Sequence, residues 1–481
     1  MERWVEEWLK RQRAKGEKCI EIKPRDSGYY VYRSTTVWDR EGRRRKKHSS
    51  YLGSLDRERG LVRSSRPVKS LIMPRNVFRY GDALLLNRAL DALAPLLRSA
   101  FPGIWEEIYA MALVRVMGYV PLKRVKSRWE KLYNPLGTTP QLDAKHLSEV
   151  LKYAGTDREA QDRVFRTLMQ GSNYAYDLSF VFTRSTISIA GLGHNKWEEH
   201  IPQVNIILLS SADEHLPTMV RAVPGSVRDV STLKASIADL ELSGVTLILD
   251  TGLFSEENIE AMLESDLNFV LPTRRNSKLY EKTGKRCDGH FFYRQRLIKC
   301  RKTVATTAGR SKKRLFLYLF EDTTLREEEE STLYRLLDER KIGKDEFEDG
   351  IKKAGRILMV SSVDADEKKI FEMYKEREAV EQHFDTLKNT LRSDILYLQD
   401  NESVFGHVFV SFLSLYGYCV LQNLLRSADI LDKVSPLDLL EEFSSVYAIT
   451  DGDKMIVTEV PKRVREFDEK LGTKLFPKSR S

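Results

Sequence analysis

The amino-acid sequence predicts an α/β protein, a mixed sheet with helices on its faces, preceded by a small β module and an all-helical stretch. Three observations predict it. Residues 29–53 read as two alternating strands, YYVYRSTTVW and KKHSSYL, around the turn Asp39-Arg40-Glu41-Gly42. Residues 81–170 switch to 3.6-residue periodicity, broken at Pro102, Pro121, Pro135 and Pro140. From Tyr174 the pattern changes again: three short strands (YAYDLSFVF, TISIAG, QVNIILLSS), then helix (229–242), apolar strand (VTLILD), helix (255–263) and strand (NFVLP). That order fits a mixed sheet covered by helices. A basic segment and an acidic helical stretch (325–351) interrupt it after Arg274, and it resumes with RILMVSS and a long helix over 366–391.

Charge is distributed unevenly. The chain has 481 residues and a net charge of +9, with 41% hydrophobic content, enough to give about three domains a core each and to exclude wholesale disorder or a disulfide-stapled scaffold. Residues 1–66 carry 19 basic and 10 acidic side chains, including the run Arg43-Arg44-Arg45-Lys46-Lys47. Residues 274–314 carry 15 basic and 2 acidic ones, and the rest of the chain sums to −13. Two basic zones on an acidic body point to a polyanionic partner held at two places. Cys19, Cys287, Cys300 and Cys419 lie too far apart for a CxxC or zinc pattern, and the first residues have no apolar signal region, so a reduced, cytosolic chain is the expectation. Residues 404–425 are long and uncharged enough to span a membrane; with Gly406, His407, two Ser, Gln422 and Asn423 they read instead as a buried core helix.

Three carboxylates could carry chemistry. Asp177 falls in the middle of a strand, where a buried Asp needs a compensating partner. Asp250 ends the strand VTLILD, and ligand groups in open α/β sheets gather at the carboxyl ends of strands. On the long helix, at 100° per residue, Tyr374, Arg377, Glu381 and Lys388 fall in a stripe about 60° wide beside the apolar stripe of Val380, Phe384, Leu387 and Leu391. Each feature has a plainer reading: an edge-strand surface residue for Asp177, a turn or N-cap for Asp250, and a solvated Arg377–Glu381 pair on the helix. Glu378 and Asp385 lie close by, so spacing alone does not select Glu381.

These motifs together resemble a known family. Tyr374-x2-Arg377-x3-Glu381-x6-Lys388 is similar to the Tyr-Arg-Glu-Lys signature of insertion-sequence DDE transposases of the IS-four group. Asp250-Thr251-Gly252-Leu253-Phe254-Ser255 with Glu257-Asn258 resembles that family's second-Asp motif, Tyr176-Asp177 its first, and GLGHNKWEEHIPQVN its linker into the next strand. Four motifs in order over residues 29–425 are more specific than any one of them. The resemblance implies an RNase H-like catalytic domain with an insertion in the 131-residue gap between Asp250 and Glu381. The implied organisation is a basic N-terminal DNA-binding module (1–66), a helical domain (67–172), a catalytic domain in two parts (173–273 and 357–430), an inserted basic subdomain (274–356) and a C-terminal region (431–481). There are two departures. Gly225-Ser226-Val227-Arg228-Asp229 stands where the family has Gly-Asn before an Asp, and all six Trp lie at or before Trp197. Were a DNA hairpin to form, Phe291, Phe292 or Tyr293 would have to stack the displaced base.

By resemblance, Asp177, Asp250 and Glu381 are the catalytic and metal-binding residues for two Mg²⁺ or Mn²⁺ ions, oxygen ligands favouring hard cations. Tyr374, Arg377 and Lys388 would contact phosphates, and Arg274, Arg275, Lys278, Arg294 and Arg296 of the basic insertion would grip the element's ends. The expected activity is metal-dependent cleavage at the ends of an insertion sequence and strand transfer into target DNA. The expected protein is a homodimer on double-stranded DNA in a prokaryotic cytoplasm, beside the nucleoid and off the membrane. Three alternatives stay open: a metal nuclease that cuts without joining, a catalytically silent DNA-binding descendant, and a membrane-anchored protein. His194 and His200 offer no third metal ligand, and His383 reads as a helix-surface residue.

Overall fold

The computed structural model describes residues 2–25, 28–39, 44–63, 76–192, 201–226, 233, 243–283, 287–306, 314–391, 395–396, 398–451 and 454–477. Arg40-Glu41-Gly42 of the turn, most of the helix expected at 229–242, His194, His200 and Val227-Arg228-Asp229 lie outside them. The chain divides into two compact units, Met1–Pro74 and Arg75–Ser481.

The first unit is a helix, Arg3–Ala14, with an antiparallel sheet in the order β1 (Ile20–Arg25), β2 (Gly28–Asp39), β3 (Arg44–Asp56), β4 (Gly60–Arg63). Alternation sorts the faces. Val31, Leu55, Ile20, Ile22, Tyr29 and Leu61 pack with Trp4, Val5 and Trp8 of the helix. The other face carries Tyr30, Tyr32 and Tyr51 in ring contact, with Arg25 over Tyr30 and Lys23 over Tyr32.

In the second unit six helices fill Gly81–Leu168, where the periodicity places them. The main sheet has ten strands, comprising β6 (Asn173–Thr183), β7 (Gln203–Ser211), β8 (Leu216–Pro224), β9 (Thr246–Ile248), β10 (Asn268–Pro272), β11 (Gly289–Tyr293), β12 (Arg296–Thr306), β13 (Arg314–Asp322), β14 (Arg356–Ser361) and the short β15 (Ile395–Leu396). Its core runs β8-β7-β6-β9-β10, antiparallel on the β8 side and parallel across β6-β9-β10. β14 adds antiparallel to β10, and β13, β12 and β11 follow it in turn. A small second sheet joins β5 (Asn76–Arg79) to β16 (Tyr447–Asp451) and β17 (Lys454–Val457).

Four expectations change. Residues 186–191 (TISIAG) form no strand; the third meander strand is β8. The acidic stretch 325–351 is two helices, Thr323–Asp338 and Lys344–Lys353. Segment 274–356, read from sequence as an inserted subdomain, contributes β11, β12 and β13 to the main sheet itself, because β13 finds its partner in β14. The helix over 366–391 is three pieces: Glu367–Glu376, Glu378–Asp385 and a π-helical turn, Thr386–Thr390.

The apolar segment 404–425 forms a 27-residue helix, Asn401–Ser427, buried along most of its length against β8 and the helical stretch. It contains His407, buried beside the equally buried Arg115; burial and this cation hold the imidazole well below its usual pKa. Burial likewise pushes His383 down to about 4. Both are neutral when folded and take a proton when unfolded, so their contribution is complete above about pH 6.5 and is lost as pH falls toward the folded values. Unfolding free energies from urea titrations should therefore drop between pH 7 and pH 5, by up to about 1.4 kcal/mol per group per pH unit, and His407→Gln should flatten that drop. An unchanged slope in the variant would remove His407 from the account.

Candidate active site

The register of the central strands brings the first two carboxylates together. β6 and β9 pair in parallel with Ala175 opposite Ile248, so two residues further along each chain Asp177 and Asp250 stand side by side. Neighbouring strands are about 4.8 Å apart, and residues two positions on share a face. Asp250 follows β9 in extended conformation and leads into a single 3₁₀ turn, Thr251–Leu253, which leaves its side chain at the open end of the sheet.

The third group comes from the interrupted helix. Asp366 caps Glu367–Glu376 by accepting from the Lys368 and Lys369 amides, and Ile370, Phe371 and Met373 bury its inner face. At Arg377 the ladder changes step: Arg377 N–H donates to Tyr374 O and Val380 N–H to Arg377 O. Helix Glu378–Asp385 then packs on β6 and β7 through Val380, Phe384 and His383, with His383 Nδ1 2.9 Å from Ser210 Oγ. His383 is thus a buried anchor, correcting its reading as a surface residue. Glu381, on the same helix, is exposed.

All three carboxylates meet one guanidinium. Arg377 Nη2 lies 2.6 Å from Glu381 Oε1 and 3.7 Å from Asp250 Oδ1, and Nη1 lies 3.8 Å from Asp177 Oδ2. The Arg377 side chain is 14% exposed. Burial draws its pKa down, but Asp250, Tyr374, Glu381 and Asp177 outweigh that and hold it above the usual value. Tyr374 completes the wall, its ring 5.8 Å from the guanidinium carbon and its phenol pKa raised mainly by burial. The neighbours that spacing left open are occupied elsewhere. Glu378 pairs with Lys375 at 3.3 Å and Arg294 at 3.5 Å, and Asp385 accepts from Asn389 at 2.6 Å.

Lys388 reaches the site by a route a regular helix would not give. It sits in the π-helical turn, which widens the spiral, and its Nζ lies 2.6 Å from Ser179 Oγ and 4.8 Å from the centre of the Phe180 ring. Ser179 is two residues beyond Asp177 on the same face of β6, a period-2 signal that could have marked it in the sequence.

The basic insertion is less uniform than its charge suggests. Arg275 makes a two-pronged pair with Glu329 at 2.7 and 2.9 Å, and Arg296 lies 3.4 Å from Asp322, so both hold the insertion's own helix and strands together. Arg274 and Lys278 are exposed, and Arg294, at the tip of the β11–β12 hairpin, reaches Glu378 of the active-site helix. Phe291 and Tyr293 pack on Phe371, leaving Phe292 as the outward-facing ring, 64% exposed.

Asp177 is a strongly perturbed carboxylate. Burial raises its pKa to about 6 against the opposing pull of Arg377 and the Leu178 amide, with Asp250 and Glu381 adding to the rise. A carboxyl raised on folding costs nothing below its unfolded value of 3.8, and its ionisation weighs fully against the folded state above about pH 6. Asp177→Asn should therefore stabilise the metal-free protein by on the order of 1–2 kcal/mol at pH 7.5. The gain should be absent near pH 4. Paired urea titrations at the two pH values check this; a destabilised variant at pH 7.5 would contradict it.

The donor set, three carboxylates with oxygen ligands only, suits a hard divalent cation in kind and number. As arranged around Arg377, however, no three acidic, His or Cys side chains among the described residues stand close enough to hold an ion.

Asp177 within β6, Asp250 just past the end of β9 and Glu381 on the helix thus stand around one guanidinium, in the order Asp, Asp, Glu along the chain. The family model for the transposase DDE domain matches residues 175–416 of the 481, and the chain belongs to that family. A solved cryo-EM structure, a piggyBac transposase synaptic complex with hairpin DNA, is similar over 83% of this chain and 86% of that one, at 11% identity and a TM-score of 0.40. No curated protein matches the chain.

Proposed function

We propose that the protein is an insertion-sequence DNA transposase, cutting at the ends of its element and joining the freed 3′-hydroxyls to target DNA. The observation that carries this reading is the convergence of Asp177 from within β6, Asp250 from just past β9 and Glu381 from the packed helix on one guanidinium, in a chain of the transposase DDE domain family. The mixed sheet, antiparallel across β8-β7-β6 and parallel across β6-β9-β10 with helices packed on it, supports an RNase H-like catalytic domain. The Tyr374, Arg377, Glu381 and Lys388 spacing supports placing it near the IS-four group.

Asp177, Asp250 and Glu381 would hold two Mg²⁺ or Mn²⁺ ions, which when bound supply Lewis-acid activation of the attacking oxygen and charge stabilisation at the leaving one. Lys388, held over Asp177's strand by Ser179, and Arg377 bring positive charge to the scissile phosphate, and Tyr374 offers a hydrogen bond. Cleavage and joining are both in-line displacements at phosphorus, so one constellation serves both. Exposed Arg274, Lys278 and Arg294 extend the phosphate-binding surface, and Arg275 and Arg296, paired with Glu329 and Asp322, brace it. Because two element ends must be handled together, the working form is a homodimer on double-stranded DNA, acting in the cytoplasm at the nucleoid.

The test is a joining assay. Purified protein, a duplex with the element's terminal repeats, a supercoiled plasmid and Mg²⁺ should yield plasmid molecules with the repeat's 3′ end covalently attached. Cutting without joined product favours a metal nuclease, and tight binding with neither favours a silent descendant.

A further inference from the structure

We propose that Arg377 is a resident counter-cation that closes the active site until a DNA phosphate draws it away, so that metal binding and DNA binding are coupled through this one side chain. The inference deepens the transposase reading and rests on it.

Geometry makes the two occupants mutually exclusive. The guanidinium holds the carboxylates of Asp177, Asp250 and Glu381 at 3.8, 3.7 and 2.6 Å from its terminal nitrogens. A hard divalent cation draws oxygen ligands in to about 2.0–2.6 Å, nearer than carboxylates spread around a planar guanidinium can come. A metal ion and Arg377 would compete for the same oxygens, and two positive groups within a few ångströms repel strongly where the surroundings are partly buried. No three acidic, His or Cys side chains among the described residues are placed to take an ion with Arg377 where it stands. Loading the site requires the guanidinium to leave.

Its destination follows from its chemistry and position. A guanidinium presents a planar fork of donors that matches two phosphate oxygens as well as it matches carboxylates. Arg377 sits at the joint between two helices, where the bonds from Arg377 N–H to Tyr374 O and from Val380 N–H to Arg377 O replace the regular ladder. The side chain leaves from a joint in the helix, not from a buried mid-helix position. Tyr374 lies alongside it, and Lys388 is held at Ser179, two residues along β6 from Asp177. A phosphate arriving between Tyr374 and Lys388 takes up the guanidinium and releases three carboxylates to the metal. Reciprocity then demands that metal binding strengthen DNA binding by the same factor. Away from DNA, the site holds its own cation.

The test is Mn²⁺ binding, followed by the electron paramagnetic resonance signal of the free ion. Full-length wild type, Arg377→Gln, Arg377→Lys and Asp250→Asn are titrated alone and with saturating duplex carrying the element's terminal repeat, with binding to the duplex alone subtracted. Without DNA, Arg377→Gln should bind Mn²⁺ about tenfold or more tighter than wild type, and Arg377→Lys, which keeps the charge, should stay near wild type. DNA should tighten wild type by a comparable factor and leave Arg377→Gln nearly unchanged. Equal or weaker Mn²⁺ binding by Arg377→Gln, or equal tightening of both by DNA, overturns the proposal. If Asp250→Asn binds Mn²⁺ on DNA as well as wild type does, the carboxylate assignment itself fails, which is a separate result.

Discussion

Replacing Asp250 by Asn or Glu381 by Gln is expected to lower DNA cleavage and joining by about 10³-fold or more, roughly 4 kcal/mol of transition-state stabilisation, while leaving DNA binding intact or tighter. Each substitution removes one of the three charges that converge on Arg377 and keeps the side chain's size. Neither residue supports the fold: Glu381 is exposed, and Asp250 follows β9 outside its strand pairing. Affinity should hold or improve because each change removes a negative charge from a surface that must face phosphates and loosens the claim on Arg377. Single-turnover cleavage in Mg²⁺ beside a binding titration separates the two quantities. Variants that cut at the wild-type rate would place the chemistry elsewhere.

The largest expected loss of stability comes from a position far from the chemistry. The long helix Asn401–Ser427 crosses helix Ala144–Thr156 at a pair of glycines: a Cβ on Gly406 would run into the backbone of Leu151, and one on Gly155 into the carbonyl of Glu402. Both obstacles are main chain, so neither can swing aside. Gly406→Val should cost more than about 3 kcal/mol and leave little native protein, because the same long helix supports β8 at the edge of the catalytic core. Gly343→Ala, at an exposed helix start with open space around it, should stay within about 0.5 kcal/mol of wild type in urea unfolding. A Gly406→Val protein with a wild-type midpoint would show that the two helices can part without cost.

What the sequence made legible follows from how local each signal is. β6, β7, β9, β10 and β14 stand out as short apolar or alternating runs, and Asp177 and Asp250 belong to two of those runs. β8 escaped notice because Pro217 and Pro224 bracket its alternation, and its place is set by pairing with β7 around a bulge. Residues 186–191 alternate as a strand should, yet among the described residues only Gly191 finds a bridge, to Gln203. That β11, β12 and β13 extend the main sheet depends on contacts between distant residues, which periodicity does not carry. The regular-helix wheel placed Tyr374, Arg377 and Glu381 on one side correctly, but the step at Arg377 and the π-helical turn are tertiary effects. Lys388 still reaches Asp177's strand, through a turn wider than the wheel assumed. The basic segment's net charge was plain from composition. Which of its arginines are spent on Glu329 and Asp322 was not, since their partners are 54 and 26 residues away.

The most direct measurement is the anomalous scattering of Mn²⁺ in crystals of the full-length protein bound to a duplex of its element's end. The account predicts manganese peaks ligated by the carboxylates of Asp177, Asp250 and Glu381, with the Arg377 guanidinium turned onto a phosphate. Peaks at other side chains, or carboxylates still gathered on Arg377 with DNA in place, would contradict it.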